Sequence, residues 1–360
     1  MKKEINNGGL QVYNQYLHRK RIALIVIIVV TVVAALYSIG VGSIQISMPD
    51  IFKVLAGGGE KMHRTAIMNI RLPRAVTAIL VGAALAAAGA VMQCVLRNPL
   101  ASASSLGVSQ GAAFGAALGI VVFGGGVVNS ANATTAITIN NPYIVTLCAF
   151  VFGMVSTVVV VGISQFKKNI GPGGLILAGT ALSSLFSGAS TILQYFADDT
   201  KLGAIVFWTF GNLGSTSWRE LLILFVVFLA AVIYFLFNRW NYNAMESGAD
   251  TAKSLGVNTR SVMLISMGIC SLLAAVAVSF VGIISFVGLV APHIMRKFVG
   301  NDYRYLIPGS TIAGAGLLVL ADLVSRTVMA PVILPIGALT SFLGAPMFLF
   351  LLFKGVKHGG

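Results

Sequence analysis

Few residues of this 360-residue chain are of types that do chemistry, and those few stand far apart. Asp322 and Arg326 lie four residues apart inside an apolar run, so on a helix they share a face and can pair. Asp322 is the one acidic residue in the interior of such a run, Glu220 standing at the very start of another, and there a carboxylate serves either an ion pair or a polar path. His293 follows Pro292 with no second His, Cys or carboxylate at metal-ligand spacing, which fits a hydrogen-bonded structural role better than ligation. Cys94, Cys148 and Cys270 all fall in apolar runs and form neither a disulfide framework nor a metal set, so they read as buried small hydrophobes. No Gly-rich stretch leads into Lys and Ser or Thr, so the sequence carries no phosphate-binding loop, and neither a cofactor nor a metal is expected on this chain. An enzyme embedded in a membrane would need a convergent set of acids, bases, ligands or nucleophiles, and Asp322 with His293 falls short of one. A self-contained carrier or channel would have a single intramembrane carboxylate to work with. Work driven by ATP would need a separate subunit to hydrolyse it.

The elements that position these residues are membrane helices. Hydrophobic residues make up 57% of the chain and charged residues 9%, with a mean hydropathy of +0.92, far from the mixture of a soluble domain. Apolar runs of roughly 17 to 25 residues recur, each long enough to cross the hydrocarbon layer as a helix, and they are apolar on every side rather than alternating as barrel strands do. The expected fold is all-α and integral to the membrane, with ten spans: Ile22 to Ile39, Leu72 to Leu96, Leu106 to Phe123, Tyr143 to Gln165, Leu175 to Phe196, Trp218 to Phe237, Val262 to Val281, Ile283 to Met295, Tyr305 to Val328 and Pro335 to Phe353. The eighth is short enough to be partial or tilted. Alternating loops then place two thirds of the 24 Lys and Arg on the side of the amino terminus, so both termini are expected in the cytoplasm.

The net charge of +14 is spread through short loops and forms no basic domain, which argues against a nucleic-acid partner. Residues 1–21 read as a cytoplasmic arm, 22–354 as one membrane domain and 355–360 as a cytoplasmic tail. Arg19, Lys20 and Arg21 precede the first run in signal-peptide order, but that run is long and has no convincing cleavage site, so a retained first helix is expected. The uncharged stretch from Gly124 to Asn141 suits a translocated loop. Lys201 to Leu213 reads as a short helix along the outer surface, with Trp208 and Trp218 of the type that settle at interfaces.

Four glycines, Gly107, Gly111, Gly115 and Gly119, recur every fourth residue and form one stripe, which admits a close helix neighbour or a helix beside a transport path. Arg97-Asn98-Pro99-Leu100 stops the second span on the cytoplasmic side. Gly171-Pro172-Gly173-Gly174 makes a turn poor in side chains, either a plain hairpin or a constriction at the cytoplasmic mouth. Within a cytoplasmic segment of about 238–260, Ser247 to Gly256 reads as a short helix with Ser247 as cap, Asp250 near its start and Gly256 closing it, a knob fit to dock a soluble partner.

Several stretches together resemble the FecCD-type permeases, membrane subunits of ATP-driven (type II ABC) importers for ferric siderophores, haem and vitamin B12. They are Arg71-Leu72-Pro73-Arg74, Leu80-Val81-Gly82-Ala83-Ala84-Leu85 with Gly89 and Gln93, Asn98-Pro99-Leu100-Ala101, Leu106-Gly107-Val108-Ser109, Leu255-Gly256-Val257, Gly288-Leu289-Val290-Ala291-Pro292-His293, Leu320-Ala321-Asp322, and Leu334-Pro335-Ile336-Gly337 followed by Gly344-Ala345-Pro346. The likeness runs in unbroken order after about Ile51. It implies a multi-pass permease in the cytoplasmic membrane of a prokaryote, paired with a second permease subunit, commonly as a homodimer. Two cytoplasmic ATP-binding cassette ATPases and an external substrate-binding protein or lipoprotein complete the importer. By the same resemblance Arg71, Arg74 and Arg326 receive acidic residues of the binding protein, Ser247, Asp250, Lys253, Leu255 and Gly256 belong to the ATPase-coupling segment, and Pro172 with Gly173 occupy the gate. That turn is richer in Gly than the small hydroxyl-bearing gate of the vitamin B12 importers. Ferric siderophore import is the expected role, with haem or a corrinoid as the alternative cargo.

Overall fold

The computed structural model describes residues 2–42, 46–125, 141–166 and 171–356, with the side chains of 2–14, 16, 55 and 351–356 left aside. Most of the Gly124 to Asn141 loop, Lys167, Lys168 and the end of the tail therefore lie outside the described residues. The first helices are α1 (Lys2–Gly40), α2 (Met48–Leu55), α3 (Lys61–Thr65), α4 (Leu72–Val95) and α5 (Val108–Val121). Then come α6 (Pro142–Phe166), α7 (Pro172–Tyr195), α8 (Asp199–Phe210), α9 (Trp218–Phe237) and α10 (Arg239–Glu246). The chain continues through α11 (Ala249–Ser254), α12 (Thr259–Val281), α13 (Val287–Val299), α14 (Tyr303–Thr327) and α15 (Ile336–Val356).

Among the described residues, seven helical stretches are long and apolar enough to cross a membrane: Leu17–Gly40, Lys61–Val95, Pro142–Phe166, Pro172–Tyr195, Trp218–Phe237, Thr259–Val281 and Tyr303–Thr327. The other three expected spans fall on α5, α13 and α15, whose apolar stretches are shorter. α1 is unbroken from Lys2, so the boundary expected at Ile22 is no break in the helix. The eighth expected span begins four residues later than the sequence implies. Gly282 leaves α12 at φ 79°, residues 283–286 are not helical, and α13 starts only after Phe286, itself at φ 65°.

α4 is the axis of the packing, buried along most of its length, whereas α1, α7 and α9 keep broad apolar faces open. In lipid no hydrophobic effect drives helices together, so association rests on close packing. Its alanine-rich face supplies that fit against α12, α13 and α14. Beside it, Gly111, Gly115 and Gly119 bring α5 onto α6, where a Cβ at Gly115 would collide with the Cys148 carbonyl and one at Gly111 would lie 2.5 Å from that of Phe152. Gly107 starts α5 in the left-handed region at φ 84°. The stripe is thus a helix–helix seam. The stop after α4 is also as expected, with the Asn98 side chain accepting from the Leu100 amide at 2.8 Å.

Candidate functional site

Three arginines gather where α4 begins and α14 ends. Arg71 closes the wide turn Ala66–Arg71 and its Nη1 donates to the Ile39 and Gly40 carbonyls at 3.0 Å each, groups that the end of α1 leaves without helical partners. Arg326 donates from Nη2 to the Ser38 carbonyl (3.1 Å) and Oγ (2.6 Å) and from Nη1 to the Val41 carbonyl (2.9 Å). Asp322 is 1% exposed and takes one guanidinium on each oxygen, Arg74 Nε on Oδ1 at 2.7 Å and Arg326 Nε on Oδ2 at 2.9 Å. The pairing of Asp322 with Arg326 agrees with their spacing; Arg74 as second partner was not foreseen. The clamp fastens α1, α4 and α14 together and leaves Arg74 on the wall of a cavity of about 700 Å³, shared with Trp208, Phe210, Asn212 and Ile333.

The opposite end of α4 carries the knob. α11 is capped by the Gly248 backbone at φ 122° and closed by Gly256 at φ 82°. Ser247 does not cap it: this residue is the C-cap of α10, and its hydroxyl donates to the Asn243 carbonyl. The side chains of Asp250 and Lys253 pair at 3.6 Å in the open, Leu255 is 68% exposed, and Ala252 is buried as the root of the knob. An exposed leucine on a short, backbone-closed helix is a ready contact for another protein. α10 holds this knob to the bundle through Asn243, which donates to Asp302 (3.0 Å) and accepts from the Tyr303 amide (2.8 Å). Burial raises the Asp302 carboxyl, but hydrogen bonds from Arg304 and Asn243 outweigh it and hold the group at about 2.

Pro172 and Gly173 form the first turn of α7, with open space around Gly173. The same face of α7 continues through Thr180, Ser184, Ser187 and Thr191, all exposed, a hydroxyl stripe that the sequence reading missed. Its signal was there to read: Ser and Thr recurring at four- and three-residue steps in an otherwise apolar helix. Thr180, Ser184 and Thr191 each donate to a carbonyl of their own helix, which makes such a face tolerable in lipid while keeping it mildly polar. His293 stacks edge-on against Phe348 at 6.3 Å, and no group of three metal-binding side chains occurs among the described residues.

A Methanocaldococcus jannaschii chain named as an ABC transporter permease is 48% identical over 97% of this chain and 99% of its own length. The hemin transport system permease of Yersinia pestis is 34% identical over 93% and 95%. Relatives of similar distance are named for ferric citrate, molybdate and vitamin B12 import. A solved structure described as an inward-facing metal-chelate type ABC transporter superposes with a TM-score of 0.79 at 33% identity, covering 92% of this chain and 98% of that one. The family model described as the FecCD transport family matches residues 28–354, and the chain therefore belongs to that family as a membrane permease of an ABC importer.

Proposed function

We propose that this chain is one of two permease subunits of an importer that carries a ferric siderophore or similar iron chelate across the cytoplasmic membrane of a prokaryote. It crosses the membrane ten times with both termini inside. An external binding protein delivers cargo to the end marked by Arg71, Arg74 and Arg326, and two separate ATPases hydrolyse ATP at the α11 end. The observation that carries the pairing is the α7 face: Gly173, Thr180, Ser184, Ser187 and Thr191 stand open on a single chain although α7 is long and apolar enough to be a span. A row of hydroxyls gains nothing from lipid, and it suits a weakly polar path closed by a second copy. Pro172 and Gly173 then stand at the cytoplasmic mouth of that path.

The relative named for ferric citrate import supports an iron chelate, and the hemin permease supports haem as second reading. The test is an uptake panel in proteoliposomes holding the full importer, offered ferric siderophores, haem, cobalamin and molybdate. Saturable uptake of a ferric siderophore supports the reading, and uptake of haem or cobalamin alone replaces it with the alternative.

A further inference from the structure

Arg296, in the last turn of α13, sits where four helices meet. Its Nη1 donates to Glu246 Oε1 of α10 at 3.4 Å and to Asn301 Oδ1 at 3.2 Å, and its Nη2 donates to Gln93 Oε1 of α4 at 3.3 Å and to the Tyr303 hydroxyl of α14 at 3.2 Å. Tyr303 in turn donates to Glu246 Oε2 at 3.3 Å. Settled guanidinium–carboxylate bonds run near 2.7–2.9 Å, as they do at Asp322, where they measure 2.7 and 2.9 Å. The one carboxylate bond of Arg296, to Glu246, is longer at 3.4 Å, and its Nε is buried with no hydrogen-bond partner among the described residues. A buried donor left over beside a long ion-pair bond marks a junction that this conformation holds loosely.

The junction has a lever on each side. Towards the knob, Glu246 is the last residue of α10, one short turn from α11. Towards the membrane, Gln93 also donates to the Leu289 carbonyl at 3.4 Å, and Gly89 lies so close to the Gly288 carbonyl that no Cβ fits between them. α13 is thereby held to α4 at its start as well as at its end. Just before α13, Phe286 fills the space beside Gly344 of α15, again with no room for a Cβ. A shift of α13 along its axis is therefore felt at α15.

We propose that Arg296 and Glu246 form a switchable joint, acting as positioning residues that pass movement of α11 through α13 to α15. The proposal rests on the reading that α11 docks an ATPase. The test uses the complete importer in proteoliposomes, with assembly, ATP hydrolysis and cargo moved per ATP measured for Arg296→Gln, Glu246→Gln, Arg296→Lys and Leu255→Glu. Arg296→Gln and Glu246→Gln are expected to assemble and to hydrolyse ATP within about twofold of the parent, while cargo per ATP falls about tenfold, the size of an ordinary coupling energy. Arg296→Lys, which keeps the charge, restores part of the ratio, and the double Gln variant is no worse than either single one because the pair acts as a unit. An unchanged ratio in both Gln variants overturns the joint, and so does a loss of assembly and hydrolysis in proportion to transport, which is what a merely structural pair would give. If Leu255→Glu keeps parental assembly and hydrolysis, the docking reading of α11 falls and takes the joint with it. If Leu255→Glu breaks assembly while both Gln variants keep the parental ratio, the joint alone is wrong.

Discussion

Asp322 shows what a single buried carboxylate does when two helices and a helix end depend on it. Both oxygens are used, and its side chain is 1% exposed. Replacing it with Asn leaves Arg74 and Arg326 desolvated without their counter-charge, a loss on the order of 3 kcal/mol or more. Asp322→Asn should therefore lower the thermal midpoint of the purified permease well below that of an Asp50→Asn control, whose exposed partner Lys53 contributes little. Docking by Arg71, Arg74 and Arg326 has its own measurement: each changed to Glu, with binding-protein affinity followed across a salt series after folding is checked. The account expects weaker binding at low salt, most of all for Arg74, which lines the open cavity, and a difference that shrinks as salt screens the contact. Asp302 supplies a pH prediction. Its folded carboxyl sits at about 2, below the ordinary value of 3.8, so its contribution is present above about pH 4 and is lost as pH falls through the interval down to about 2. Asp302→Asn should remove that part of the acid dependence, read from thermal midpoints between about pH 2 and 5. The Asp322–Arg326 pair was legible from a four-residue spacing, whereas Arg74, 248 residues from Asp322, leaves no local trace of the contact.

Among elements, the spans were legible wherever length and apolarity coincide, and less so where backbone detail sets the boundary. α13 begins late because Gly282 and Phe286 hold positive φ, which hydropathy does not register. Ser247 has the type and position of an N-cap, but the preceding helix α10 claims it, and propensity cannot say which of two adjacent short helices a residue serves. The glycine stripe and the α7 stripe call for opposite outcomes on substitution. Gly115→Leu drives a side chain into the α6 backbone and should prevent folding, read as loss of a monodisperse peak in detergent. Gly173→Val meets open space within one chain, so folding should survive; uptake should fall several-fold if α7 faces a path between copies. Equal uptake in Gly173→Val and the parent would remove α7 from the path.

At the scale of the whole molecule, the two ends of α4 divide the work. About 28 Å of helix, the rise from Arg74 to Gln93, separates the tightly bonded clamp at Arg74 from the loosely bonded junction at Arg296. Composition alone announced a membrane protein, and the ordered motifs after Ile51 announced the family that the comparisons show. Cargo identity was not legible, because the proposed path along α7 offers only small hydroxyls and glycines, such as Ser184 and Gly173, that carry no chemical signature. The most direct test of the central claim is ATP-dependent uptake of a ferric siderophore by this chain in proteoliposomes, measured with its ATPase and binding protein present and with each omitted in turn. The account predicts uptake only when all three are present with ATP. Uptake by this chain alone, or uptake that persists without the ATPase, would contradict it.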